Sequence, residues 1–167
     1  MDPANGKREQ IISFVLLTFM IGRLLRNFFF LRLEVGVMGS HTVDCSNNFY
    51  TAKLQTLFSC FWNLVTTGVD FFAQNLESEN CFVVPSVPLV TRSIHYVSLQ
   101  KARASIVIPL WPSSSSWPLL TSKYKQFMKS CFLQNGTEAV TLGRNLNSFL
   151  GSVHCTGNFV ALRLEFL

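Results

Sequence analysis

The segment from Cys81 to Leu120 constrains the fold more than any other part of the sequence. Residues 81–84 are a continuous apolar run that stops at Pro85, as is typical of an internal strand of a parallel sheet. An apolar stripe at helical spacing follows, formed by Leu89, Val90, Ile94 and Val97. Residues 104–110 then predict a second buried strand. A strand, a helix and a strand in this order make a crossover between parallel neighbours, so the sequence predicts an α/β domain.

Weaker patterns on either side predict the remaining elements. Residues 41–43 are a short strand candidate that ends on Asp44. Helices are predicted over residues 51–62 and 119–132, and further strands over residues 139–142 and 158–166. The predicted fold is α/β, with a small three-layer, mostly parallel Rossmann-like sheet and flanking helices.

Length and composition limit the classes of protein to consider. A chain of 167 residues suffices for one core of ordinary size and is short for two. Only 14% of the residues are charged and 49% are hydrophobic, while the net charge is +5. An excess of positive charge favours polyanions such as nucleic acid or an acidic membrane surface. The signal is mild and defines no partner by itself.

The first 27 residues differ from the rest. Lys7 and Arg8 precede an apolar run over residues 11–22, and Arg23 and Arg26 follow it. A membrane-spanning helix needs about 20 apolar residues, and a run of this length is more often a core helix or part of a signal peptide. No small-residue cleavage site follows. Over residues 1–27 we therefore favour a buried or simply non-native leader over a signal peptide or a membrane anchor. The domain is expected over residues 28–167.

The five cysteines are odd in number and widely scattered, which favours a reducing compartment over a disulfide framework. His41 with Cys45, and His154 with Cys155, are the pairs that could be considered as metal ligands. A packed thiol is the commoner role of such a cysteine. Metal binding is therefore not expected.

The serine run from Ser113 to Ser116 is the only segment that suggests a nucleophile. No Gly-x-Ser-x-Gly pattern surrounds it, and no histidine or acid is placed by the sequence to activate a hydroxyl. A solvated loop is the expected structure.

A series of landmarks in fixed order resembles one known arrangement. These landmarks are His41-Thr42-Val43-Asp44, Phe58-Ser59, Trp62-Asn63, Val69-Asp70, Val84-Pro85, the run Ile106 to Ser113, Trp117-Pro118 and Gly143-Arg144-Asn145. In this order they resemble the segment that follows the reverse transcriptase and ribonuclease H regions in polyproteins of DIRS-type retroelements, which carry a tyrosine recombinase. The resemblance runs from about Phe28 to Phe166.

In those elements the segment is similar to the phage-type DNA N6-adenine methyltransferases, which have a doubly wound α/β fold and use S-adenosylmethionine. The resemblance implies that Asp44 and Asp70 occupy two acidic positions of the cofactor site. It also implies that the catalytic motif stands at Val84, Pro85, Ser86 and Val87. If so, Asp44 and Asp70 should converge near the carboxyl end of the strand over residues 81–84. The alternative for each aspartate is that it caps a local element.

The catalytic motif departs from the family pattern. The family has Asn or Asp, two prolines and an aromatic, which together hold the adenine amine and stack on the base. Val84 has no side-chain acceptor, Ser86 replaces a proline and Val87 has no ring. We therefore expect an inactive methyltransferase-like domain that needs no cofactor and is at most a weak nucleic-acid or protein interaction module. The alternatives are an active adenine methyltransferase, which would use S-adenosylmethionine, and a small membrane-associated protein.

Basic and aromatic side chains provide the remaining hypotheses. Lys123, Lys125, Lys129 and Arg144 are predicted to contact nucleic acid, with a solvated face as the alternative. Trp111 and Trp117 are expected to pack in the core or in a loop rather than stack on a base. DNA or other retroelement proteins are the expected partners, in the cytoplasm or the nucleus.

Overall fold

The computed structural model describes residues 27–45, 52–59, 62, 64–139 and 157–166. In chain order the strands are β1 (Val43–Asp44), β2 (Phe58–Ser59), β3 (Gly68–Val69), β4 (Asn80–Val83), β5 (Arg103–Pro109), β6 (Met128–Asn135) and β7 (Asn158–Glu165). The α-helices are α1 (Asn27–Arg32), α2 (Val90–Leu99) and α3 (Gly136–Ala139). Shorter helical turns lie at Leu33–Val37, Phe71–Ala73, Val87–Leu89, Leu119–Lys123 and Lys125–Phe127.

Five of these strands form one mixed sheet in the order β1-β4-β5-β7-β6. The pairs β1–β4 and β4–β5 are parallel, and β7 is antiparallel to both of its neighbours, so β7 alone runs in the opposite direction. β2 and β3 form a separate parallel pair. A parallel bridge between Asp44 and Leu57 connects this pair to β1. The α/β prediction is therefore confirmed at the level of a largely parallel sheet with helices.

The hydrophobic core has two parts that follow the alternation of side chains along the strands. Cys81 and Val83 of β4 belong to the first cluster, which includes Val90, Ile94 and Val97 of α2. Phe82 and Val84 belong to the second cluster, which includes Phe29 and Phe30 of α1. The central strands are thus apolar on both faces, which explains their unbroken hydrophobic sequence.

The predicted strand, helix and strand unit is confirmed within one or two residues. β4 is Asn80–Val83, α2 is Val90–Leu99 and β5 is Arg103–Pro109. A 3₁₀ turn at Val87–Leu89, with Pro88 in it, precedes α2. Proline suits this position because the first residues of a helix have no intrahelical acceptor for their N–H groups.

The predicted helix over residues 51–62 is wrong in the part that the structure describes. Residues 53–56 form bends, and Phe58 and Ser59 form β2. Leu57 and Phe58 were predicted to lie on one helical face, but both are buried because they join the sheet through Asp44 and through β3. Strand pairing has here overridden a local helical pattern.

The predicted helix over residues 119–132 is also wrong beyond its first turns. Its first half contains the turns Leu119–Lys123 and Lys125–Phe127, and its second half is the start of β6. β6 pairs with β7 from Met128 to Asn135, with a bulge between Met128 and Ser130. Exposed lysines every few residues occur on edge strands as well as on helices. The spacing of the lysines is therefore compatible with either structure for this segment.

The two predicted C-terminal strands had different outcomes. β7 (Asn158–Glu165) confirms the strand predicted over residues 158–166. In the segment 139–142, Ala139 ends the short helix α3, while residues 140–142 lie outside the described residues. The leader over residues 1–26 also lies outside them.

Candidate functional site

The strand order identifies one end of the sheet as the place to look for a ligand. From β1 the chain continues to β2 and β3 on one side, and then crosses to β4 and β5 on the other side of β1. In open α/β sheets, ligands bind outside the carboxyl ends of the strands where the strand order reverses in this way. Asp44 ends β1, and the segment from Val84 to Val87 follows β4, so both lie at this end.

Asp44 is completely buried at the end of β1. Its Oδ2 accepts a hydrogen bond from the backbone N of Lys53 at 2.9 Å, and its own backbone N donates to Thr56 O. Burial lowers the pKa of the Lys53 amine, and the nearby Asp44 carboxylate opposes that shift. The carboxylate therefore holds the bends that lead from β1 to β2.

Asp70 follows β3 and is exposed. Its Oδ1 accepts from Phe72 N at 3.0 Å, which caps the 3₁₀ turn Phe71–Ala73, and its φ is +60°. β2 lies between β1 and β3, so Asp70 and Asp44 are separated laterally by two strand spacings, or about 10 Å. The two carboxylates share the carboxyl end of the sheet, but they belong to strands that are not adjacent, and each holds its own loop.

The segment that was predicted to carry the catalytic motif contains no exposed acceptor side chain. Val84 is 1% exposed and packs with Phe82, Val107 and Phe159 in the second core cluster. Ser86 is also 1% exposed, and its Oγ has no hydrogen-bond partner among the described residues. Val87 is half-buried. Neither Val84 nor Ser86 presents a polar atom at the surface of the motif.

A cleft of about 230 Å³ lies beside this segment. Its lining residues come from the start of α2, the end of β5 and the loop after β5: Val87, Pro88, Val90, Thr91, Ile108, Pro109, Trp111, Ser114, Ser115 and Ser116. One wall is thus apolar with the Trp111 ring, while serine and threonine hydroxyls supply the polar groups. The cleft can hold a flat, mostly apolar group and offer it hydrogen bonds from hydroxyls.

The serine loop is solvated in part only, because Ser113 and Ser115 are exposed and Ser116 is not. Ser116 is buried, and its Oγ lies 2.9 Å from Ser114 Oγ. Trp117 packs against the first core cluster, as the sequence predicted, whereas Trp111 lines the cleft. Among the described residues no histidine is hydrogen-bonded to these hydroxyls, and the loop forms one wall of the cleft.

The predicted nucleic-acid residues are dispersed over three elements. Lys123 ends one helical turn, Lys125 begins the next and Lys129 lies in β6, and all three are exposed. The Lys123 Nζ lies 5.1 Å from the centroid of the Tyr124 ring. Arg144 lies outside the described residues.

A buried polar cluster at the opposite end of the sheet was not predicted. Arg163 of β7 is 7% exposed and donates to Asn80 Oδ1, while Asn80 Nδ2 donates to Ser40 O. Arg163 also lies 3.5 Å from Ser105 Oγ and 3.3 Å from Glu165 Oε1. The clue in the sequence was an arginine inside an otherwise apolar strand.

His41 belongs to the same end of the sheet. Glu34 accepts hydrogen bonds from both the backbone N and the Nδ1 of His41, and the imidazole packs edge-on against Phe82 at 5.3 Å. Burial lowers the pKa of His41, the Glu34 carboxylate opposes this shift, and Arg163 adds to it. This pair links the turn after α1 to the start of β1.

Two of the three cysteines that the structure describes, Cys45 and Cys81, are packed thiols, as predicted. Cys45 and Cys81 are buried on neighbouring strands, and burial raises the pKa of the Cys45 thiol, with a smaller contribution from contact with Cys81. Cys131 is exposed on β6.

Within the described ranges no three His, Cys, Asp or Glu side chains are grouped as metal ligands. No helix in these ranges is long and apolar enough to cross a membrane.

The sequence matches no protein-family model and no curated protein. Its function must therefore be inferred from its own residues and their arrangement.

Proposed function

We propose that this chain is a retroelement-derived, methyltransferase-like domain that does not transfer methyl groups and acts as a weak nucleic-acid-binding module. The proposal combines the ordered resemblance to DIRS-type elements with the arrangement at the carboxyl end of the sheet. The observation that carries it is the segment Val84 to Val87, which follows β4 beside a cleft but offers that cleft no amide or carboxylate.

The strand order supports a doubly wound, Rossmann-like architecture. If β2 and β3 are counted with the main sheet through the Asp44–Leu57 bridge, the order is β3-β2-β1-β4-β5, followed by β7 and β6. The first five positions agree with the order of doubly wound nucleotide-binding sheets. α2 packs on one face and α1 on the other, which is consistent with three layers.

The side chains at the carboxyl ends of β1 and β4 argue against catalysis. Removing a proton from an adenine amine, or holding that amine for transfer, needs an acceptor at the end of β4. Val84 instead contributes a side chain to the core, and the Ser86 hydroxyl is enclosed. Asp44 is engaged with Lys53 N and is fully buried. A carboxylate in this state is a structural cap, and its release to a cofactor would break that cap.

The same cleft supports weak binding of a base. Trp111 supplies an aromatic ring, and Pro88, Pro109 and Ile108 supply flat apolar contacts. Stacking on one aromatic residue contributes about 1–3 kcal/mol per base, with little dependence on sequence. With no amide or carboxylate in the motif for the Watson–Crick edge, binding should be weak, tolerant of sequence and sensitive to salt.

Titration calorimetry with S-adenosylmethionine and a methyl-transfer assay on adenine-containing DNA test the catalytic part of the proposal. We expect no methylation and no cofactor binding. Methylation by the wild-type chain would establish an active adenine methyltransferase instead. Cofactor binding without methylation, abolished by Asp44→Ala, would contradict the assignment of Asp44 as a cap and indicate a domain that retains its cofactor.

A mobility-shift titration with single-stranded DNA at several salt concentrations tests the binding part. Trp111→Ala should weaken the complex, and the double variant Lys125→Glu/Lys129→Glu should abolish it. The matched control, Lys101→Glu/Arg103→Glu, makes the same change in net charge at the start of β5, two strands away from β6 in the sheet, and should weaken binding less. If both double variants lost the same amount of DNA binding, the binding would depend on net charge alone. That result would remove the support for a defined interface.

A further inference from the structure

The loop between β2 and β3 exposes an unusual amount of apolar side chain. Trp62 is 72% exposed, Leu64 93%, Val65 44% and Val69 39%. Among the described residues the other large exposed hydrophobic side chains, Leu31, Leu99 and Leu133, lie singly on different elements. Single exposed leucines are ordinary, whereas several large apolar side chains exposed within one short segment indicate an interaction site. We call Trp62, Leu64, Val65 and Val69 the apolar loop.

The apolar loop is held in place at its base. Thr67 N donates to Leu57 O at 2.9 Å, and Asp70 N donates to Ser59 O at 2.9 Å. The Gln74 Nε2 donates to Val69 O at 2.6 Å. These bonds fix the return of the chain into β3 while Leu64 and Val65 form a turn at the outer end. The exposed side chains are therefore presented by a supported turn.

The sequence around the loop carries no charge. From Leu54 to Val69 there is no Asp, Glu, Lys, Arg or His. The four side chains expose on the order of 400 Å², whereas a stable contact between two protein copies buries about 800 Å² on each. A second copy is therefore a poor occupant. Insertion of a few side chains into the interfacial zone of a bilayer requires less area, and tryptophan is enriched in that zone.

The positive charge of the rest of the chain favours a bilayer with anionic lipids over a neutral one. The net charge is +5, and Lys7, Arg8, Arg23 and Arg26 flank the apolar run over residues 11–22. Basic residues are attracted to anionic lipid headgroups, and stable peripheral binding generally needs two weak signals acting together. We propose that the apolar loop inserts into the headgroup region of anionic membranes and acts as a peripheral membrane contact.

Vesicle co-sedimentation of the full chain tests this proposal. The probes are phosphatidylcholine vesicles with and without phosphatidylserine. We expect the wild type to sediment with the anionic vesicles, and Leu64→Glu to reduce the bound fraction about tenfold. Leu64 is 93% exposed, so the substitution should leave the fold intact. The matched control is Leu99→Glu, which places the same charge on a leucine that is 79% exposed at the end of α2 and should bind like the wild type.

Fluorescence provides a second measurement. Wild-type emission should shift to the blue when anionic vesicles are added, and Trp62→Phe should remove most of that shift although Trp111 and Trp117 remain. If Leu64→Glu and Leu99→Glu bind as the wild type does, the N-terminal segment alone carries the contact and the proposal is overturned. If the wild type binds neither vesicle, the loop serves a protein contact and the proposal is equally overturned.

Discussion

The two ends of the central sheet use polar groups in opposite ways. At the amino end of β4 and β5, Asn80, Ser105 and Arg163 are buried and hydrogen-bonded to one another. At the carboxyl end, Val84 is apolar and the hydroxyl of Ser86 is buried without a partner among the described residues. A ligand site requires polar groups at the carboxyl end. In β4, β5 and β7 the interacting polar side chains lie at the other end, where they stabilise the fold.

The largest expected effect comes from disrupting the amino-end cluster. Asn80→Ala removes the acceptor of Arg163 and leaves a buried guanidinium short of one hydrogen bond. We expect the free energy of unfolding to fall by about 2–3 kcal/mol, measured by urea denaturation. Gln126→Ala, at an exposed position, should change it by less than about 0.5 kcal/mol. Equal effects of the two variants would mean that the cluster contributes nothing to stability.

Restoring an acceptor at the carboxyl end is the next largest change. Val84→Asn recreates the residue type that the methyltransferase motif requires, but it places an amide among Phe82, Val107 and Phe159. We expect a loss of about 1–3 kcal/mol in urea denaturation, because a buried amide without partners keeps its desolvation cost, and no gain of methyl transfer. If a stable Val84→Asn variant methylated DNA, the carboxyl end would lack only this one acceptor for catalysis.

Acid should destabilise the amino end through His41. Because burial lowers the pKa of folded His41 below its ordinary 6.5, the unfolded chain binds the proton more tightly. The resulting stability is fully present above pH 6.5 and is lost as the pH falls below it toward the folded pKa. The thermal midpoint should fall between about pH 7.5 and about pH 5.5. It should fall less in His41→Gln.

The smallest effect is expected for Ser86. The Ser86 Oγ has no partner among the described residues, so Ser86→Ala removes a buried hydroxyl that contributes no hydrogen bond. The free energy of unfolding should change by less than about 0.5 kcal/mol or rise slightly. Ser116→Ala breaks the bond with Ser114 Oγ and should cost about 0.5–1 kcal/mol. A large loss for Ser86→Ala would indicate that this hydroxyl holds a group at the carboxyl end after all.

The success of the sequence predictions depended on how local the pattern was. The strands around Cys81 and Ile106 and the helix through Ile94 were predictable because each buries apolar residues in an unbroken local pattern. The segments around Phe58 and Cys131 were predicted as helices and are strands, since their pairing partners, β3 and β7, lie elsewhere in the chain. A helical spacing of three or four apolar residues is too short a signal to outweigh such pairing.

The candidate site divides in the same way. The sequence by itself determined that Val84, Ser86 and Val87 supply no amide, carboxylate or ring, because that depends only on side-chain chemistry. It also determined the α/β class, through the buried runs on either side of α2. Only the tertiary structure decided that Asp44 caps the bends after β1, that Asp70 lies two strands away, and that Arg163 is buried against Asn80. These facts depend on strand order and register, which bring together residues as far apart as 80 and 163 and which no local pattern encodes.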